Sequence, residues 1–272
     1  MLPARPGGQN RGVVDRTDDL PDVPKRVADF EDDFSSPLRA DLWVGHYLPQ
    51  WTTPDRSAAR YEPSGAGLRL RIDDDQLDWR AEDAPMRVSN IQTGTFSGDA
   101  GSRRGTHRYR GDGLTVRTPT ATRLHWAPCA GRVDLTVSAS RDDDCMLAGW
   151  LIGTEHLAEE NAGEVCVFEI DAAAIGETES RVRCGVKAHH DPRLTTDMAE
   201  IAVSGNLSLP HTWTAIWGNG ETIIGCDGAV LRHIAQAPDY PLFLMIDLFE
   251  IGQRTGNYPK TATVHRVRGW TQ

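Results

Sequence analysis

Glu164 and Glu169 lie five positions apart in the segment GEVCVFEID (163–171), inside a run of Val, Cys, Val, Phe and Ile. Two carboxyl groups sharing an apolar setting can divide acid, base and nucleophile duties, because like charges at close range push their pKa values apart. Both side chains must then reach the same space. In a regular strand, residues five apart point to opposite faces, which would bury one glutamate. A single β-bulge adds one residue and returns both to the same face. On such a strand Glu164, Cys166 and Glu169 project together, while Val165 and Ile170 face the core. The plain alternative is a bulged strand whose glutamates are merely solvated.

The elements around this segment read as short strands. GLRLRI places Leu68, Leu70 and Ile72 on one face, and GRVDLTVSAS does the same with Val133, Leu135 and Val137. TWTAIWGNGETIIGCDGAVL reads as three strands joined by turns at Gly218-Asn219-Gly220 and Asp227-Gly228. PLFLMIDLFEI is apolar almost throughout, as expected of a strand buried on both sides. TATVHRVRGW alternates imperfectly and finishes the domain. Short helices are expected only at EHLAEEN (155–161) and DAAAIGET (171–178). Many strands at short spacing with Gly and Asp turns predict an all-β sandwich or barrel. Residues 1–28, rich in Pro, Gly, Asp and Arg, are expected to form a flexible or loosely attached tail to a single domain over 29–272.

Composition narrows the function classes. The chain has 272 residues and a formal net charge of −10, which argues against nucleic acid or an anionic membrane surface as the main partner. The loop GSRRGTHRYRG (101–111) is basic but has little aromatic interleaving. No apolar run reaches the roughly 18 residues of a spanning helix. The first 25 residues lack the apolar stretch of a secretory signal, so the chain is expected in the cytosol unless a leader precedes it. The five cysteines (129, 145, 166, 184 and 226) form no Cys-x-x-Cys pair and read as free buried thiols in a reducing compartment, with a single disulfide as the alternative. No phosphate-binding glycine loop occurs, and no cofactor is assigned.

Several segments together resemble glycoside hydrolase family 16, the laminarinase and lichenase group of β-glucanases. GEVCVFEID is similar to that family's bulged motif Glu-x-Asp-x-x-Glu, and AGWLIG (148–153) to the strand before it. WTAIWGNGETIIGCDGAVL and QAPDYPLFLMIDLFE (236–250) resemble the strands that follow. The likeness runs from FEDDF (30–34) to the C-terminus, but only the central motif is specific. The resemblance implies a concanavalin A-like jelly roll of two curved antiparallel sheets with a sugar cleft across the concave one. It implies Glu164 as nucleophile and Glu169 as general acid/base of a retaining reaction, which needs its carboxyl groups about 5–5.5 Å apart. Cys166 departs from the family, which has Asp there. A thiol flanked by carboxylates should be neutral and can offer only a weak hydrogen bond.

If the cleft takes sugar, aromatic faces should line it, since sugar rings stack on them. Trp150, on the preceding strand, is the foremost candidate, and Trp51 in HYLPQW could line an outer subsite. Trp213 and Trp217, at alternating spacing, read more readily as core. Asn90 and Gln92 could bond sugar hydroxyls. His189, in AHHDP, could line the cleft or lie in a surface turn. Adjacent histidines on a strand diverge, so His189 and His190 do not make a metal site, and no metal is assigned. Three functions follow. The first is a retaining endo-glycosidase with a carbohydrate substrate, most simply β-1,3-glucan. The second is a carbohydrate-binding protein without chemistry, and the third an intracellular enzyme using the cleft on a non-polysaccharide substrate.

Overall fold

In a computed structural model the described residues are 19–109 and 113–272. They form two large antiparallel sheets stacked face to face. One has eight strands, running Ala229–Ile234, Glu221–Cys226, His211–Gly218, Gly131–Ser138, Lys260–Thr271, Gly67–Ile72 and Arg60–Ser64, with Phe30–Asp32 beside Lys260–Thr271. The other has six, in the order Asp197–Ser204, Glu179–Lys187, Glu164–Asp171, Cys145–Gly153, Leu242–Ile251 and Met86–Gln92. This is a sandwich, as the strand pattern predicts, in the jelly-roll form that the resemblance implies.

Period-two patterning builds the layer between the sheets. Leu68, Leu70, Ile72, Val133, Leu135 and Val137 enter it from the eight-stranded sheet, together with Trp213 and Trp217. Val165 and Ile170 enter from the other. Leu242–Ile251 is apolar at most positions of both faces because all but its last residue are buried. Leu242, Leu244, Ile246 and Leu248 join the inter-sheet core, whereas Phe243, Met245 and Phe249 join a second cluster with Trp79 and Trp150. The two hairpin turns are two-residue loops, Asn219-Gly220 and Asp227-Gly228, with positive φ at all four positions. That left-handed pair matches the twist of the strands it joins. The uneven alternation of TATVHRVRGW has a local cause, a register shift between Val264 and Arg266.

Two expectations need correction. Residues 155–161 form no helix: Glu155 takes φ 54°, which stops a helix at its first residue. Of 171–178 only Ala172–Ala174 coils, as a single 3-10 turn. Of the expected tail, residues 1–18 lie outside the described residues. Residues 19–28 are tied to the eight-stranded sheet: Asp19 bridges Ala229, and the Arg26 carbonyl accepts from Trp270 Nε1 at 3.2 Å.

The bulge is present and sits inside the motif. On Glu164–Asp171, Cys166 pairs with Trp150 and Gly185, and Glu169 pairs with Ala148 and Arg183. Val167 and Phe168 therefore fill a step that each neighbouring strand covers with one residue, and both turn into the core. The flanking strands leave room for this with glycine. A Cβ on Gly149 would fall 2.7 Å from the Phe168 ring, and Gly185 holds φ 151° with the Asp197 carbonyl where its Cβ would be.

Candidate active site

The bulge delivers Glu164, Cys166 and Glu169 to the face turned away from the inter-sheet core. Glu164 and Glu169 line a cleft of about 590 Å³, walled by Trp150, Tyr47, Trp79 and Phe249 among others. A carboxylate oxygen from each glutamate and the Cys166 sulfur lie within 4.8 Å of one another.

The next strand, Glu179–Lys187, supplies the countercharge. Lys187 pairs with Glu164 in register and Arg183 with Glu169, so six residues on one strand span five on the other. Lys187 Nζ lies 2.9 Å from Glu164 Oε1 and 2.6 Å from Glu169 Oε1. Arg183 Nε donates to Glu169 Oε2 at 3.0 Å and the same guanidinium also holds Asp171. His189 Nε2 donates to Glu164 Oε2 at 2.7 Å. It reaches inward because the chain turns after Lys187 and His189 takes a left-handed φ of 47°. Glu164 is 1% exposed. Burial alone would raise its pKa, but Lys187 and His189 overcome this and hold it at about 2. Glu164 is thus an ionised carboxylate across the ordinary pH range. Lys187 is kept charged despite its burial by the two glutamates around it.

Cys166 contributes no charge. Burial, reinforced by Glu169, pushes its thiol far above the ordinary range. Its sulfur donates to the Arg183 carbonyl at 3.8 Å and not to either glutamate. The place between the glutamates is taken by the Lys187 ammonium.

Trp150 lines the cleft, 6% exposed, with Lys187 Nζ 5.2 Å from its ring centre. His189 lines it as well. Trp51, Asn90 and Gln92 do not. Trp51 is fully buried and donates Nε1 to the Thr106 carbonyl at 3.0 Å. Asn90 and Gln92 face the right side of the sheet, but both are fully buried and Val44 pairs with Gln92 at the sheet edge. Asn90 is committed to Asp247 Oδ1 at 2.7 Å and Gln92 to the Gly94 carbonyl at 2.7 Å. Asp247, completely buried under the cleft floor, has its pKa raised well above the ordinary carboxylate value by burial, with Glu164 adding to the shift. Trp213 and Trp217 are core residues.

Sequence reasoning missed Lys187, Arg183 and His107. Lys187 and Arg183 follow the motif on the next strand with cleft-facing parity, a signal that only the register could have decoded. His107 enters from the loop after Gly105, with φ 55°. Its ring lies 5.0 Å from that of His189. Burial, helped by His189, lowers its pKa to about 3, so the imidazole is neutral.

No protein-family model matches the sequence, and no curated protein does. Solved structures do. The GlcNAcα1-4Gal-releasing endo-β-galactosidase of Clostridium perfringens overlays with a TM-score of 0.78 at 20% identity, over 93% of this chain and 65% of that one. This chain thus spans somewhat less than two thirds of that protein. SCLam, a non-specific endo-β-1,3(4)-glucanase from family GH16, overlays at 0.63 and 15% identity, covering 93% and 94%. The laminarinase catalytic domain of Thermotoga maritima MSB8 overlays at 0.60 and 11% identity, covering 90% and 98%. At these identities the likeness is one of architecture: the chain has the jelly-roll fold found in the family 16 glycoside hydrolases.

Proposed function

We propose that the protein is a retaining, endo-acting glycoside hydrolase whose nucleophile is Glu164 and whose proton donor is Glu169. The observation that carries this is the approach of the two carboxyl groups, with an oxygen of each within 4.8 Å of the other on one cleft wall. Retaining enzymes hold their carboxyl groups about 5–5.5 Å apart, whereas inverting ones leave about 6.5–9.5 Å for a water. Glu164, ionised and fixed by Lys187 and His189, attacks the anomeric carbon as the glycosidic C–O bond breaks. Glu169 gives its proton to the departing oxygen, then takes one from the water that cleaves the glycosyl-enzyme. For the acid role Glu169 needs one oxygen free of the cations that now hold it. A substrate oxygen entering beside Lys187 would take over that contact. Trp150 offers the apolar face on which a sugar ring would stack.

The substrate is a β-linked glycan. β-1,3-Glucan is the simplest choice, in keeping with the glucanase likenesses. The markedly better overlay on an endo-β-galactosidase supports a second reading, a β-galactoside chain. Incubation with 2-fluoro glycosides of the β-gluco and β-galacto series, followed by intact mass and peptide mapping, tests both. A single adduct on Glu164 is expected, and the series that gives it names the sugar. No adduct from any probe would overturn the proposal.

A further inference from the structure

His107, Glu164 and His189 converge in a way the hydrolysis does not use. Two ring nitrogens and one carboxylate oxygen, one from each residue, all lie within 4.8 Å of one another. His189 Nε2 already touches Glu164 Oε2 at 2.7 Å, and the two imidazoles meet edge to face at 89°. His107 is 7% exposed, and among the described residues its ring has aromatic neighbours but no hydrogen-bond partner. The ring lines the cleft and is open to a ligand there. Its free ring nitrogen lies beside the Glu164 carboxylate.

We propose that His107, Glu164 and His189 form a binding site for a zinc-class divalent cation, which when bound caps the Glu164 carboxylate. Two imidazoles and a carboxylate suit zinc, cobalt or copper, whereas calcium and magnesium prefer all-oxygen sites. A tetrahedral ion with ligands at about 2.0–2.1 Å sets its ligand atoms roughly 3.3 Å apart. The 2.7 Å pair must open slightly and the wider separations, at most 4.8 Å, must close. Two of the three residues are in loops, where small adjustments are cheap. The fourth position faces the cleft, open to water or a sugar hydroxyl. Lys187 does not block the site, because it sits on the other Glu164 oxygen and has Glu169 as a second partner.

The other clusters are weaker. Among Glu164, Cys166 and Glu169 the central space holds the Lys187 ammonium. In His211, Cys226 and Asp227 both ring nitrogens are engaged, with Asp227 at 2.6 Å and the Asn206 carbonyl at 3.2 Å.

Binding of the ion is independent of the proposed activity; only the capping of a working nucleophile rests on that reading. The test is titration of the metal-free full chain with Zn²⁺ by calorimetry and with Co²⁺ by its ligand-field spectrum. One equivalent is expected, with a cobalt spectrum of nitrogen and oxygen ligation that Zn²⁺ abolishes. His107→Gln and His189→Gln should each weaken binding more than about 100-fold, since outer partners of ligands alone are worth about 10–100-fold. His190→Gln should retain it, because His190 bonds the Arg108 carbonyl instead. His189 is in an exposed turn, so its variant keeps the test sound if His107→Gln unfolds. The proposal falls if no saturable uptake occurs, or if uptake survives in both variants. Zinc uptake without any 2-fluoro glycoside adduct in the metal-free protein would leave this site standing and sink the hydrolase reading. Adduct formation without zinc uptake would do the reverse.

Discussion

Lys187 stands directly across the sheet from Glu164, with its ammonium 2.9 Å from that carboxylate. The same nitrogen reaches Glu169 at 2.6 Å, so one cation on the neighbouring strand ties the two motif glutamates together. With Cys166 neutral and turned to a backbone carbonyl, the middle of the motif carries no acid, and a lysine fills the gap between the carboxylates. That exchange reverses the local electrostatics. A carboxylate in the middle would raise the affinity of Glu164 for protons, whereas the Lys187 ammonium lowers it.

Replacement of Lys187 by Met should therefore move the acidic limb of the kcat/KM profile upward by at least about one pH unit, since burial would then act on Glu164 with less opposition. The rate at the optimum should fall about 10–100-fold as the two carboxylates lose their common anchor. Lys187→Arg should recover much of the profile. A profile unmoved in the Met variant would show that Lys187 does not set the state of Glu164. The measurement is kcat/KM against pH on a soluble oligosaccharide.

Glu169→Ala should separate substrates by leaving group. A sugar leaving group needs the proton, so cleavage of a glycan should drop about 10²–10⁴-fold. An aryl glycoside with an acidic phenol leaves without one, and its bond-breaking step should slow less than about tenfold. Equal losses on both would mean that Glu169 acts only as structure. Steady-state and burst kinetics on the two substrates distinguish the cases.

Trp150 and Trp51 should fail in different ways. Trp150→Ala should raise KM for oligosaccharide, since the ring is part of the cleft wall. Trp51→Ala should cost about 3–5 kcal/mol of stability, the range for emptying a fully buried tryptophan site. Trp51→Phe, which keeps most of the volume, should leave KM unchanged. Denaturant unfolding alongside oligosaccharide kinetics checks the contrast.

Legibility tracked how local the governing physics is. Two-residue turns such as Asp227-Gly228 and the alternation of Val133, Leu135 and Val137 are decided within a few residues, and they were readable. The bulge was readable too, because strand parity alone separates Glu164 from Glu169. The partners of those glutamates were not. Assigning Lys187 to Glu164 and Arg183 to Glu169 needs the register across a connection of seven residues, which the bulge shifts by one on the way. Asn90 and Gln92 failed for a third reason: their parity was right, but both are buried, and Val44, from distant sequence, pairs at that edge of the sheet. His107 depends on a left-handed residue in an irregular loop and carries no pattern at all.

Two buried glutamates should give the stability of this protein opposite pH slopes in adjoining windows. Glu164 has its pKa lowered from 4.5 to about 2, against the pull of burial, by Lys187 and His189. A depressed carboxylate adds stability that is present above about 4.5 and lost as pH falls through about 2. Glu155, buried where it accepts from the His107 amide at 2.5 Å and from Arg108 Nε at 3.1 Å, has its pKa raised from 4.5 to about 7, chiefly by burial. A raised carboxylate does the opposite: its contribution is complete below about 4.5 and lost as pH rises through about 7. Thermal midpoints of the wild type, Glu164→Gln and Glu155→Gln from pH 2 to 8 resolve the two. The glutamine at 164 should flatten the climb between pH 2 and 4.5, and the glutamine at 155 the decline between 4.5 and 7. Each change should amount to at least about 2–4 °C, the shift worth 1 kcal/mol in a chain of this size. If Glu155→Gln left the decline untouched, the carboxyl that anchors the His107 loop would be ionised throughout, and the Arg108 contact would outweigh its burial.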